Sequence, residues 1–124
     1  MEKATFGLDE NVASAACYVL TWVTGIIFLL VEKNNKTVRF HAWQSILTFL
    51  PLTILYYILT SVVWWLFFGA GTYAAVGIWG ILGLIGTLIW IVMLILWLVL
   101  MYKAYSGEKF LVPIVGAIAE SQVK

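Results

Sequence analysis

The sequence predicts an all-α membrane protein with three transmembrane helices, over about 12–31, 43–68 and 76–102, the N-terminus outside and the C-terminus cytoplasmic, followed by a short amphipathic C-terminal segment. Three observations predict it. Hydrophobic residues make up 64% of the 124 positions and charged ones 10%, against about 45–50% and about 25% in soluble domains. No Asp, Glu, Lys, Arg or His occurs in the 61 residues from Ala42 to Tyr102. The basic residues fall in two clusters that three crossings bring to one side.

A soluble domain of this size buries about two-thirds of its surface, so a chain this apolar would leave hydrophobic patches over most of the remainder. Lipid is the solvent that fits. The net charge of +1 leaves no electrostatic footprint for nucleic acid. A single cysteine, Cys17, excludes an intrachain disulfide and a cysteine-built zinc site.

The elements follow in order within a single membrane domain, 1–124. Residues 1–11 form a polar N-terminal segment. Val12 to Val31 carries no charge over 20 residues, about 30 Å of helix and one bilayer core. Residues 32–41, EKNNKTVRFH, are too polar for hydrocarbon and contain an Asn-Asn pair suited to a turn. The next uncharged stretch would be about 90 Å long as one helix, so it folds back. Gly69 to Ala75, GAGTYAA, is the best break, an outer turn at 69–75. The tail, 103–124, is too short to span. Pro113 is suited to open a helix, and Phe110, Ile114 and Ile118 stand at helical spacing, so the tail is expected along the inner membrane surface.

Cytoplasmic loops are enriched in Lys and Arg. Lys33, Lys36, Arg39, Lys103, Lys109 and Lys124 lie on one side of a three-span chain and Lys3 alone on the other. That bias sets the expected orientation.

The densest polar constellation is Arg39-Phe40-His41-Ala42-Trp43-Gln44-Ser45. On a helix His41, Ser45 and Thr48 share a stripe, with Gln44 beside it. A His-Ser pair at i, i+4 lacks the orienting acid and oxyanion hole of a hydrolase, and one histidine offers too few ligands for a metal. The chain is therefore expected to be no enzyme and to carry no cofactor. Pro51 interrupts the backbone bonding of the second span, as in some transporters, although neighbouring helices and hydroxyls commonly satisfy such a break. Gly77, Gly80, Gly83 and Gly86 recur every three residues in the third span, and Ser14, Cys17, Thr21, Thr24 and Gly25 form a small-residue stripe on the first. Both suit helix packing, within the chain or between subunits.

Three segments carry a family resemblance: FLLVEK at 28–33, VRFHAWQS at 38–45, and MYKAYSGEKF at 101–110 with PIVG at 113–116. Together they resemble the small prokaryotic membrane proteins of the DUF4870 family, grouped with Tic20 of the chloroplast import machinery. The resemblance implies a non-enzymatic, oligomer-forming scaffold or protein-translocation component in the cell membrane, with the lipid bilayer, further copies or a larger membrane complex as partners, and no nucleic acid. The polar rim expected to make those contacts is Glu32, Lys33, Arg39, His41, Gln44, Ser45, Tyr102, Lys103, Tyr105, Glu108 and Lys109. A small-solute or ion channel or transporter subunit is the alternative, motivated by Pro51 and the glycine-rich third span.

Overall fold

The computed structural model describes residues 4–69 and 72–123. A 3-10 turn, Thr5–Gly7, is followed by α1 (Glu10–Val19), α2 (Trp22–Val31), α3 (Lys36–Gly69), α4 (Thr72–Tyr105) and α5 (Val115–Ser121), with no strand among the described residues. Two units result. One is Met1–Pro51 with Leu96–Lys124; the other is Leu52–Ile95.

Among the described residues, two helices are long and apolar enough to cross a membrane, Lys36–Leu66 and Val76–Tyr105. Their large apolar side chains, among them Ile58, Ile81, Leu84, Leu88, Ile95 and Leu98, are exposed. A helix that is apolar all round and outward-facing belongs in lipid.

The expected first span, 12–31, is not one crossing helix. It is two ten-residue helices, α1 and α2, each about 15 Å long and so about half a bilayer core. They fold back on one another. The rings of Phe6, just ahead of α1, and Phe28 of α2 meet edge-on at 6.3 Å. Ala13 and Cys17 of α1 share a core with Phe28 of α2 and with Val38 and Ala42 of α3. The turn falls at Thr21, whose φ of 54° and ψ of −125° no helix accommodates. Hydropathy cannot see such a turn because Leu20 and Thr21 carry no charge.

The loop expected over 32–41 shrinks to four residues, because α3 begins at Lys36. Asn35 is the reason: its Oδ1 accepts the Val38 N–H at 3.2 Å and its carbonyl accepts the Arg39 N–H at 3.1 Å, which makes it the N-cap. The Glu32 carboxylate accepts the N–H groups of Asn34 and Asn35, both at 3.0 Å, and holds the turn that leads into this cap. Pro51 lies within α3, whose assignment continues through it.

In the second unit α4 begins at Thr72, four residues before the expected Val76. Ala70 and Gly71 of the expected outer turn lie outside the described residues. Residues Tyr56, Thr60 and Trp64 of α3 and Trp79, Gly83, Gly86 and Trp90 of α4 line an apolar groove of about 510 Å³.

At its other end α4 stops in a full Schellman motif. Gly107, at φ 82°, donates to the Ala104 carbonyl at 3.1 Å, and Glu108 N–H donates to that of Lys103 at 2.9 Å. The tail then departs from its expected helical register. Pro113 does not open the helix; α5 starts at Val115, and Ile114 ahead of it sits at φ 69°.

Candidate functional site

The break between α1 and α2 frees backbone carbonyls, and irregular backbone in an apolar setting needs partners for the groups it frees. Four carbonyls around the break accept from side chains. The indole Nε1 of Trp97 donates to the carbonyls of Tyr18 at 2.7 Å and Val19 at 3.3 Å. Ser45 Oγ donates to the Thr21 carbonyl at 2.6 Å, and Thr24 Oγ1 donates to that of Cys17 at 3.1 Å. Gly25 lets α2 reach α3, since a Cβ there would stand 3.0 Å from the Ala42 carbonyl oxygen and 3.1 Å from the Ser45 side chain.

Beside this turn lies a buried polar cluster. The Tyr18 hydroxyl is 2.8 Å from His41 Nδ1 and accepts from Gln44 Nε2 at 3.0 Å. The Gln44 amide also clamps the tail: Nε2 donates to the Phe110 carbonyl and Oε1 accepts the Val112 N–H, both at 3.0 Å. Phe49 and Phe40 close on the pair, the first edge-on to Tyr18 and the second edge-on to His41.

Of the expected rim residues, His41, Gln44 and Ser45 are buried and come together here. Glu32 is also buried, but in the turn before α3. Arg39 joins that turn, its Nη1 donating to the carbonyls of Leu29 at 3.0 Å and Glu32 at 2.7 Å. Lys103 pairs with Glu108 at 2.8 Å, and Lys109 lies 3.6 Å from Glu120 with its Nζ 4.6 Å above the Phe40 ring. Tyr102 and Tyr105 are exposed, and the Tyr105 carbonyl accepts from Asn11 Nδ2 at 3.0 Å. Lys33 is exposed.

Sequence reasoning did not single out Tyr18 or Trp97 as bonding partners, and it read Asn35 only as part of the Asn-Asn turn, not as the α3 cap. Tyr18 is a phenol in the middle of an otherwise apolar run, and a buried phenol needs a partner; that was the available signal.

A model of the magnetosome magnetite crystal formation protein family, MamF/MmsF, matches residues 9–119. The chain belongs to that family. A UPF0132 membrane protein of Methanocaldococcus jannaschii is 42% identical over 121 residues, covering 97% of this chain and 94% of the relative. A second from that organism is 40% identical over 115 residues, covering 92% and 70%, and one from Archaeoglobus fulgidus is 41% identical over 116, covering 94% and 97%. No solved structure matches. This corrects the expected Tic20-like, DUF4870 membership: the FHAWQS and YKAYSGEKF segments lie inside the matched MamF/MmsF region, and the generic apolar helices between them do not discriminate between membrane families. The protein-translocation role that rested on the resemblance falls with it. As a MamF/MmsF member with UPF0132 relatives and two long apolar helices, the chain is a membrane protein.

Proposed function

We propose that this chain is a non-enzymatic membrane scaffold of the prokaryotic cell membrane that self-associates in the bilayer. The observation that carries the reading is the use made of the polar rim: His41, Gln44, Ser45, Arg39 and Glu32 spend their polar atoms on Tyr18, on the backbone of the α1–α2 turn and on the tail. They fasten the fold.

In this reading α3 and α4 cross the membrane and the α1–α2 hairpin enters and leaves on one side, which places both termini in the cytoplasm. The Asn11–Tyr105 bond supports it by tying the start of α1 to the end of α4. Charge supports it too, since all seven Lys and Arg of the sequence then lie on one side. The family's description concerns magnetite crystal formation. What this reading takes from it is a protein that organises a membrane; among the described residues no group of three His, Cys, Asp or Glu stands together as a metal site.

Self-association is assigned to the glycines of α4, which spiral around it and where a Cβ at Gly77, Gly80 or Gly83 would meet nothing within 4 Å. Native mass spectrometry from mild detergent tests the proposal. Homo-oligomers, or a constant co-purifying membrane protein, are expected; a bare monomer across several detergents and lipid nanodiscs would overturn it.

A further inference from the structure

The chain around Ile114 is held in an unfavourable shape. Ile114 has φ 69° and ψ −57°, and the Val115 N–H donates to the Pro113 carbonyl at 2.7 Å, which together define the strained form of the γ-turn. A β-branched residue is the worst occupant of that region. The turn nevertheless thrusts Ile114 outward, 81% exposed, with Phe110, Leu111 and Ile118 also exposed.

The surroundings fix that presentation. Gln44 holds the backbone of Phe110 and Val112 from two sides. Gly116 lies against Leu111 so closely that a Cβ would stand 2.7 Å from the Leu111 Cα, and Val112 and Ala119 are buried beneath. Backbone strain persists where the surrounding structure over-determines it, as the Gln44 clamp and the Gly116–Leu111 contact do here, and it clusters at sites that contact something else.

We infer that residues 110–118 form a wedge seated in the headgroup–acyl boundary of the leaflet into which the polar end of the first unit faces, with Ile114 as its tip. The inference rests on α3 and α4 crossing the bilayer. Continuity with that lipid-facing surface identifies the occupant. Leu98, Tyr102 and Tyr105 of α4 are exposed, and their aromatic members mark the interfacial zone where a helix leaves hydrocarbon. Phe110 follows within five residues and is bonded to Gln44, in the third turn of α3, so the wedge stands at the depth where both helices enter the core. Lys103 and Lys109 flank it, each paired with a carboxylate, Glu108 at 2.8 Å and Glu120 at 3.6 Å, so the apolar tip and not net charge carries the seating.

Spin labels on full-length protein test the wedge. Ile114→Cys is labelled with a nitroxide in vesicles of phosphatidylcholine with phosphatidylglycerol, and collision with oxygen is compared with collision with a water-soluble nickel chelate. Lys33→Cys serves as the aqueous reference and Leu98→Cys as the lipid reference; Cys17 is buried, and unsubstituted protein reports any labelling there. The wedge predicts an oxygen-to-chelate ratio at position 114 several-fold above that at 33 and approaching that at 98. A ratio equal to that at 33 overturns it. A high ratio accompanied by dipolar coupling between labels also overturns it, because a second copy then covers the tip. If the label at 98 is itself open to chelate, the crossing helices fail and not the wedge alone. Ile118→Cys repeats the measurement should the first variant not fold.

Discussion

The hydroxyl of Tyr18 bridges to Nδ1 of His41 across 2.8 Å, joining the α1–α2 hairpin to α3. The direction of that bond follows from its neighbours. Val112 N–H needs the Gln44 oxygen and the Phe110 carbonyl needs the Gln44 nitrogen, which fixes the amide orientation. Gln44 Nε2 therefore donates to Tyr18, the Tyr18 proton goes to His41 Nδ1, and the histidine carries its own proton on Nε2.

Tyr18→Phe removes the oxygen and leaves a buried imidazole nitrogen and a buried amide hydrogen without their partner. Each unsatisfied group costs about 1–3 kcal/mol. The variant is expected to melt several degrees lower in detergent, and pairing it with Gln44→Leu should cost less than the sum of the two single changes. Additive losses would show that the three residues do not act as one network.

Two glycines separate packing within the chain from packing between chains. Gly25→Ala places a Cβ 3.0 Å from the Ala42 carbonyl oxygen, against backbone that has little room to give, and should destabilise by about 1–3 kcal/mol. Gly80→Ala meets nothing within 4 Å and gains up to about 1 kcal/mol of helix propensity. The monomer should therefore be as stable or more so. If the proposed oligomer packs on these glycines, native mass spectrometry will show Gly80→Ala shifted toward smaller species.

Much of this was legible in the sequence. The uncharged run from Ala42 to Tyr102 required two long helices, and the structure places them at Lys36–Gly69 and Thr72–Tyr105. The hairpin was hidden because apolar composition reports burial from water and not direction of travel: a run of 20 uncharged residues fits one crossing or two half-depth helices equally well. Thr21, Thr24, Ser45 and Trp97 encode the difference, yet the bonds that join them span up to 79 positions, beyond the reach of any local pattern. His41, Gln44 and Ser45 were found by their clustering, whereas their partner Tyr18 was not, since one hydroxyl in an apolar segment does not say what it faces.

The tail is fastened by two independent devices, and each can be removed alone. Gln44→Leu strips the clamp from Phe110 and Val112, and Gly116→Ala drives a Cβ to 2.7 Å from Leu111. Either change should raise amide hydrogen exchange over 110–119 by about an order of magnitude or more, since a loss of about 1.4 kcal/mol of local stability is a tenfold change. Exchange in α3 beyond Pro51 should not move. Equal acceleration there would mean that the tail braces the spans.

Topology distinguishes the hairpin from a crossing helix most directly. Three crossings put the termini on opposite sides; two crossings with a re-entrant hairpin put them together. The Phe6–Phe28 ring contact brings the residues ahead of α1 back to α2, and the Asn11–Tyr105 bond ties the start of α1 to the end of α4, which is what the proposed two-crossing topology needs. Fluorescent-protein fusions at either end fold only in the cytoplasm, so both fusions are expected to glow, and alkaline phosphatase at either end should be inactive. Under the proposed two-crossing topology, a phosphatase placed after Gly69, between the two long helices, should be active. A dark N-terminal fusion with an active N-terminal phosphatase would restore a crossing first helix, and the Trp97 and Ser45 bonds that seal the Thr21 turn would then have to break.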